Sequence, residues 1–265
     1  MPTYTPGKVV LAQTYVGIDD PDAAVYVAAV EAADGQALET ATKVAIHSFV
    51  KGCKADGIWP AIKASCILSG ARTLTGALVP LAGTAPTNNG PFVSGDYNRK
   101  TGLVGNGTNK YLNSNRNNNA DPQNSKHVSV FIQNRGASTT AGARFIAAGD
   151  SGGVGDTLIA NDVSGGFYTS INNTSFDRPA LTTGFVGMSR SISTSYLFRG
   201  SNTTTSFSRT SGTPKNENIG VFANSDGGLF LDCRLAFYSI GESLDLAALD
   251  ARVTALINAF AAAIP

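Results

Sequence analysis

The chain has 265 residues, 42% of them hydrophobic and only 15% charged, with 20 Lys plus Arg against 19 Asp plus Glu. That apolar content supports a real core and excludes wholesale disorder, while the near cancellation of charge leaves no basic field for a phosphate backbone and excludes nucleic acid as a partner. The surface falls instead to neutral Asn, Ser, Thr and Gly, which suits contacts with proteins or glycans because few charges have to be desolvated.

In chain order, residues 1–18 carry Pro2, Pro6 and Gly7 around Val9-Val10-Leu11. They read as an extended arm lying on a neighbouring subunit, or equally as a frayed end. No basic-then-apolar leader precedes them, and no run approaches the roughly 18 apolar residues of a membrane span, so neither export by a standard route nor membrane insertion is expected. Asp19-Asp20-Pro21 then starts a helix, an acidic cap with proline in the first turn. Val25, Ala28, Ala29 and Ala32 share one of its faces, and Asp34-Gly35 stops it. Leu38, Thr42, Ala45, Ile46, Phe49, Val50 and Cys53 keep helical spacing along a second helix, with Glu39 and Lys43 as an i,i+4 pair. Ile58, Trp59, Ile62, Cys66 and Ile67 predict a third helical segment, so residues 19–82 are expected to form a helical region for attachment or assembly.

Beyond Gly70 the period changes. Short apolar stretches are punctuated by Gly, Asn, Ser and Thr, and residues 126–133, 185–190, 195–199 and 218–223 alternate as strands do. The longest such stretch is 229–239, with Leu229, Leu231, Cys233, Leu235 and Phe237 on one face and Asp232 and Arg234 on the other. Many short strands predict a mainly β fold, an antiparallel sandwich over residues 83–265. A C-terminal helix closes it, begun at Ser243 or Asp245 and striped by Leu246, Leu249, Val253, Leu256, Ile257 and Phe260. That stripe packs on the helical region or forms a subunit seam, the first being the default. Cys53, Cys66 and Cys233 sit among apolar neighbours in no zinc spacing; they read as buried thiols, a Cys53–Cys66 disulfide being the alternative.

The order of several segments carries a resemblance. Asp56-Gly57-Ile58-Trp59, Ala71-Arg72-Thr73-Leu74 and Asn98-Arg99-Lys100-Thr101-Gly102-Leu103 lead into the run from Gly105 to Leu112. Asn117 to Asn124, His127-Val128-Ser129-Val130 and, near the end, Leu235 to Gly241 complete the series. From about residue 56 onward the chain resembles the laminin-G-like, concanavalin A-like jelly-roll proteins of bacteriophage genomes, of tail or fibre type. The resemblance implies two packed antiparallel sheets. It implies a non-enzymatic virion protein displayed on the tail, fibre or baseplate and assembled in the host cytoplasm, with other virion proteins as partners. A homo-oligomer, taken as a trimer, is expected from the symmetry of such appendages. The alternatives are a capsid decoration (cement) protein and, third, a glycan-degrading enzyme.

The residues themselves show little catalytic patterning. Glu31, Glu39, Glu217 and Glu242 are the only glutamates, and none stands in the Glu-x-Asp-x-Glu arrangement of glucanases of this fold. His47 and His127 are the only histidines, one on a core helix face and one opening a strand, a poor basis for a Ser/His/Asp triad. Asp150, Asp156 and Asp162 recur every six residues as turn residues, with a calcium site as the sharper alternative; no metal and no cofactor is expected. Gly102-x-x-Gly105-x-Gly107 before Lys110 lacks the Gly-Lys-Ser/Thr of a phosphate loop and reads as a tight turn. The candidate ligand site is the polar loop 113–121, where Asn115, Arg116, Asn117, Asn118, Asn119 and Asp121 offer donors and acceptors to the hydroxyls of a host-surface glycan. Tyr97, Tyr168 or Tyr196 would supply a stacking ring, with Tyr168 taken into the site. The bland alternative is a loop whose amides cap their own turns.

Overall fold

The computed structural model describes residues 19–149, 156–162, 164–173, 175–180 and 182–264. The expected arm over residues 1–18 and Asp150 therefore lie outside the described residues. The elements in chain order are α1 (Pro21–Asp34), α2 (Thr40–Ala55), β1 (Ile62–Ile67), α3 (Leu74–Ala77), β2 (Pro80–Ala82), β3 (Thr87–Asn89), β4 (Tyr97–Asn98), β5 (Gly102–Val104), β6 (Tyr111–Asn117) and β7 (Lys126–Asn134). There follow β8 (Arg144–Ala148), β9 (Asp156–Asp162), β10 (Gly166–Asn173), β11 (Gly184–Arg190), β12 (Ser195–Gly200), β13 (Thr203–Ser208), β14 (Asn218–Val221), β15 (Arg234–Gly241) and α4 (Leu246–Ala263).

The chain forms the expected mainly β, antiparallel jelly-roll sandwich with helices at both ends of the sequence. One sheet runs β13-β12-β11-β7-β15-β1-β2, with β5 and β4 added beside β15; the other runs β10-β9-β8-β14-β6-β3. Val128, Val130 and Ile132 of β7 meet Phe145, Ile159, Phe167 and Val221 between the sheets. The opposite face of the first sheet presents Phe131, Phe185 and Phe237, which α1, α2 and α4 cover. The result is three layers: helices, first sheet, second sheet. Because the middle of the first sheet is covered on both faces, β1, β7 and β15 place apolar residues on both sides, whereas α2 and α4 need only one apolar stripe each.

Local signals set the helix ends as expected. The Asp20 carboxylate accepts the Asp22 and Ala23 N–H groups, Pro21 follows at the first helical position, and Gly35 closes α1 at φ +68°. Asp245 caps α4 in the same way. All six predicted stripe residues of α4 are buried, packed with α2 and the first sheet. Helix α4 is long and apolar enough by composition to cross a membrane, with a mean hydropathy of 1.4 over 18 residues. Cys53, Cys66 and Cys233 are free and buried.

Four expectations are corrected. The third helical segment is strand β1: Cys66 points between the sheets and Ile67 toward the helices, so both faces are apolar and the run imitates helical spacing. β1 and β2 thus place part of the expected helical region inside the first sheet. Helix α1 buries Ala23, Tyr26, Val27 and Val30, while Val25 is 71% exposed and Ala28, Ala29 and Ala32 face outward. Tyr26, Val27 and Val30 remove more apolar area from water than the alanine face would. Of the stretch 229–239, Leu231 and Cys233, ahead of β15, and Leu235 within it enter the inter-sheet core, but Phe237 joins the helix side. The pairing with β7 shifts register between Leu235 and Phe237, and the extra residue of such a bulge reverses the alternation. Finally, Glu39 does not pair with Lys43. It accepts two hydrogen bonds from Arg99 at 3.1 and 2.7 Å and is bridged by Arg72, while Lys43 pairs with Glu31 at 3.1 Å.

Candidate functional site

The expected ligand loop 113–121 is the end of β6 followed by a 3-10 turn over Asn118–Ala120. Asn115, at φ +56°, donates to Ala85 O at 2.8 Å and to Thr87 Oγ1 at 3.0 Å. Arg116 forms a two-pronged pair with buried Asp121, and buried Lys126 donates to Asn118 O at 2.6 Å. Burial lowers the Lys126 ammonium to about 8. Asn117 accepts the Asn119 N–H and, with Asn119, donates to Asn216. Asn118 is buried and reaches Asn172. These side chains join strand ends to crossing loops; Asn115 and Asn119 are exposed, Arg116 and Asn117 partly so, and Asn118 and Asp121 are buried. Tyr168 does not meet them: Asn118 touches β10 at Asn172, four residues and about 13 Å along the strand from Tyr168.

The two histidines are structural. His47 is buried on α2, with its Nε2 2.5 Å from the exposed Asp19 carboxylate. His127 Nδ1 donates to Glu242 O at 2.6 Å, which leaves Nε2 to accept from Ser239 Oγ at 2.8 Å. This has the form of a nucleophile–base pair, but both residues are fully buried and no substrate reaches them. Burial pulls the imidazole down to about 4. The thiols are equally silent: burial pushes Cys53 and Cys66 up to about 12.

Asp156 and Asp162 stand at opposite ends of β9, six residues and about 20 Å apart. Asp156 pairs with Lys215 at 3.1 Å, and Asp162 accepts the Ser164 N–H at 3.1 Å as a turn residue does. Among the described residues no three His, Cys, Asp or Glu side chains gather to hold a metal. Gly102 belongs to β5 at φ +95°, against Leu235 O, and Lys110 is paired with Asp96; the run is a strand whose turn lies after it, around Asn106 and Gly107.

Of the three tyrosines, two are spent inside. Tyr97 donates to Ala71 O at 2.8 Å, and buried Tyr196 donates to Asp177 Oδ2 at 2.9 Å. Tyr168 alone presents a ring on the outer face of the second sheet. Its surroundings follow from strand alternation. Phe167 and Thr169 point inward and Tyr168 outward on β10. Asp177 bridges Thr169 in antiparallel register and turns its carboxylate inward to Tyr196 and Arg209, so Phe176 and Arg178 on either side face outward. Tyr168 and Phe176 meet edge to face, centroids 5.8 Å apart at 67°. The Arg178 guanidinium lies 4.8 Å over the Tyr168 ring. Leu158 and Ala160 of β9 and Ala147 of β8 form the floor. Asp162, held below the usual carboxylate range chiefly by the Ser164 backbone N–H, lies 3.7 Å from Arg178. Two rings in edge-to-face contact, a guanidinium and a carboxylate thus converge at one sheet edge.

Sequence reasoning took in Tyr168 but missed Phe176 and Arg178. The available signal was the out-in-out order Phe176-Asp177-Arg178, a short period-two stretch between Asn and Pro that continues the sheet beyond β10.

No family model matches the chain, and no curated protein does. Several solved structures resemble it. One is a mutant Trypanosoma rangeli sialidase with trans-sialidase activity, at 10% identity and a TM-score of 0.46, covering 80% of this chain and 39% of that one. Domain 4 of an extracellular GH43 arabinanase from Geobacillus stearothermophilus, in complex with arabinotriose, is 13% identical with a TM-score of 0.42, covering 73% of this chain and 99% of that one. A GH54 α-L-arabinofuranosidase is 11% identical with a TM-score of 0.38, covering 61% of this chain and 41% of that one. The chain thus spans about two fifths of the sialidase. These likenesses concern the fold. These structures are of carbohydrate-acting enzymes, with no virion protein among them. The expectation of a bacteriophage virion protein, on the tail or as head cement, is corrected on that ground and carried no further.

Proposed function

We propose that this chain is a carbohydrate-binding β-sandwich that performs no chemistry on its ligand. The observation that carries the reading is the outward corner of Tyr168 and Phe176, with Arg178 and Asp162 at its rim. Sugar rings bind proteins by laying C–H faces on aromatic rings while their hydroxyls find paired donors and acceptors. A corner of two rings offers apolar contact from two sides, Arg178 supplies donors and Asp162 an acceptor.

The carboxylates support the non-catalytic part. Glycoside hydrolysis requires a carboxyl group kept protonated near neutral pH, facing a second carboxylate across the sugar. Here the shifted carboxyl groups, Asp19, Asp20, Glu39, Asp56, Asp96 and Asp162, all move downward. Buried Asp121, Asp177 and Asp250 are each locked to an arginine.

A glycan array followed by calorimetry on the full chain tests the reading. The wild type should bind a defined set of glycans, and Tyr168→Ala and Phe176→Ala should each weaken binding about tenfold or more, the loss of an aromatic contact of ~1.4 kcal/mol. Circular dichroism checks that both variants fold. No glycan bound at millimolar ligand, or unchanged affinity in both variants, overturns it.

A further inference from the structure

We infer that the Tyr168–Phe176 corner selects a carboxylate-bearing sugar, with Arg178 as the residue that grips the carboxylate. The inference rests on the carbohydrate-binding reading and narrows it to a ligand class.

Arg178 differs from every other arginine in the chain. The guanidinium groups of Arg72, Arg99, Arg116, Arg135, Arg144, Arg190, Arg199, Arg209, Arg234 and Arg252 each donate at least one hydrogen bond to a carbonyl, amide or carboxylate oxygen. Among the described residues Arg178 has no acceptor within hydrogen-bond distance; its nearest partner is Asp162 at 3.7 Å, and its side chain is 63% exposed. Its position is set by the Tyr168 ring, over which the guanidinium carbon lies 4.8 Å from the centroid. A cation–π contact draws on the charge of the guanidinium and the ring's π face and takes up no N–H donor, so the fork sits beside the ring with its donors unspent. A planar fork presented this way matches a carboxylate, which accepts two parallel N–H bonds. Phe176, alongside, is where the ring bearing that carboxylate would pack.

Asp162 sets the character of the grip. Its negative charge beside Arg178 cancels most of the long-range field, so attraction comes from short paired hydrogen bonds more than from net charge. Binding should therefore depend weakly on salt. For the same reason removal of the Asp162 charge should strengthen an acidic ligand and not a neutral one. An asparagine there still accepts the Ser164 N–H, which keeps the turn.

The test is calorimetry on the full chain with galacturonate, its methyl ester, galactose and N-acetylneuraminate. The two acids separate a uronic acid from a nonulosonic acid as the carboxylate source. The wild type should bind one or both acids about tenfold more tightly than the methyl ester or galactose, with little change between 0.05 and 0.5 M salt. Arg178→Gln should abolish that preference while leaving ester binding intact, Arg178→Lys should not restore it, and Asp162→Asn should tighten the acid about two- to fivefold. Equal affinity for acid and ester overturns the inference, as does a preference that survives Arg178→Gln. If galactose or the ester still binds and depends on Tyr168, the carbohydrate reading stands without the acid selectivity. If no sugar binds, both are overturned.

Discussion

Acidification should expose the cost of the buried His127 imidazole. The ring is enclosed between the first sheet and the start of α4, with Nδ1 on Glu242 O and Nε2 on Ser239 Oγ, and burial lowers it from 6.5 to about 4. Between those values the unfolded chain binds a proton that the folded chain does not, so stability rises with pH there and falls as pH is lowered from about 6.5 toward 4. With those two values the loss between pH 6.5 and 4.5 is about 2 kcal/mol, approaching about 3 kcal/mol when the folded value is passed. Urea unfolding at half-unit steps from pH 7 to 4.5 measures it. Carboxylates add little above pH 4.5; Glu39, lowered to about 2 chiefly by its Arg99 hydrogen bonds, loses its contribution only below its ordinary value of 4.5. His127→Gln is less stable at pH 7 because it disturbs both hydrogen bonds, but its stability should be nearly flat over the window. His47 is common to both proteins and cancels in the comparison. Parallel stability–pH curves for the wild type and the variant would refute the burial argument.

Three further outcomes follow from packing and pairing. Phe237→Ala should cost about 3–5 kcal/mol in chemical denaturation, because the ring is fully buried against Phe49, whereas Val25→Ala on the exposed α1 face should stay within about 0.5 kcal/mol. Asp121→Ala should destabilise by about 3–5 kcal/mol, since it leaves Arg116 and buried Lys126 without their shared counter-ion, and a thermal melt that is unchanged would show the pair to be dispensable. In the native protein none of Cys53, Cys66 and Cys233 should react with a disulfide reagent at pH 8 on the minute timescale, while all three react in denaturant; a fast native thiol contradicts their burial.

What could be read from the sequence was what short-range chemistry decides. Asp20-Pro21 and Gly35 bound α1, Asp245 begins α4, the stripe from Leu246 to Phe260 is buried as its spacing requires, and the alternation over β7 and β11 places strands correctly. Each signal lies within one or two turns of chain, where the period of the backbone alone sets which side chains share a face. The tertiary structure decided the rest. α1 offers apolar residues on two faces, and only contact with the neighbouring layer selects Tyr26, Val27 and Val30 over the alanines. β1 is apolar on both faces because a sheet covers one and helices the other, a condition no local window contains. The bulge before Phe237 exists only relative to β7. The corner at Tyr168 depends likewise on the bridge between Thr169 and Asp177, which turns Phe176 and Arg178 outward beside the ring. Cross-strand register is a property of two segments at once, so the side chains it brings together carry no shared mark in either segment.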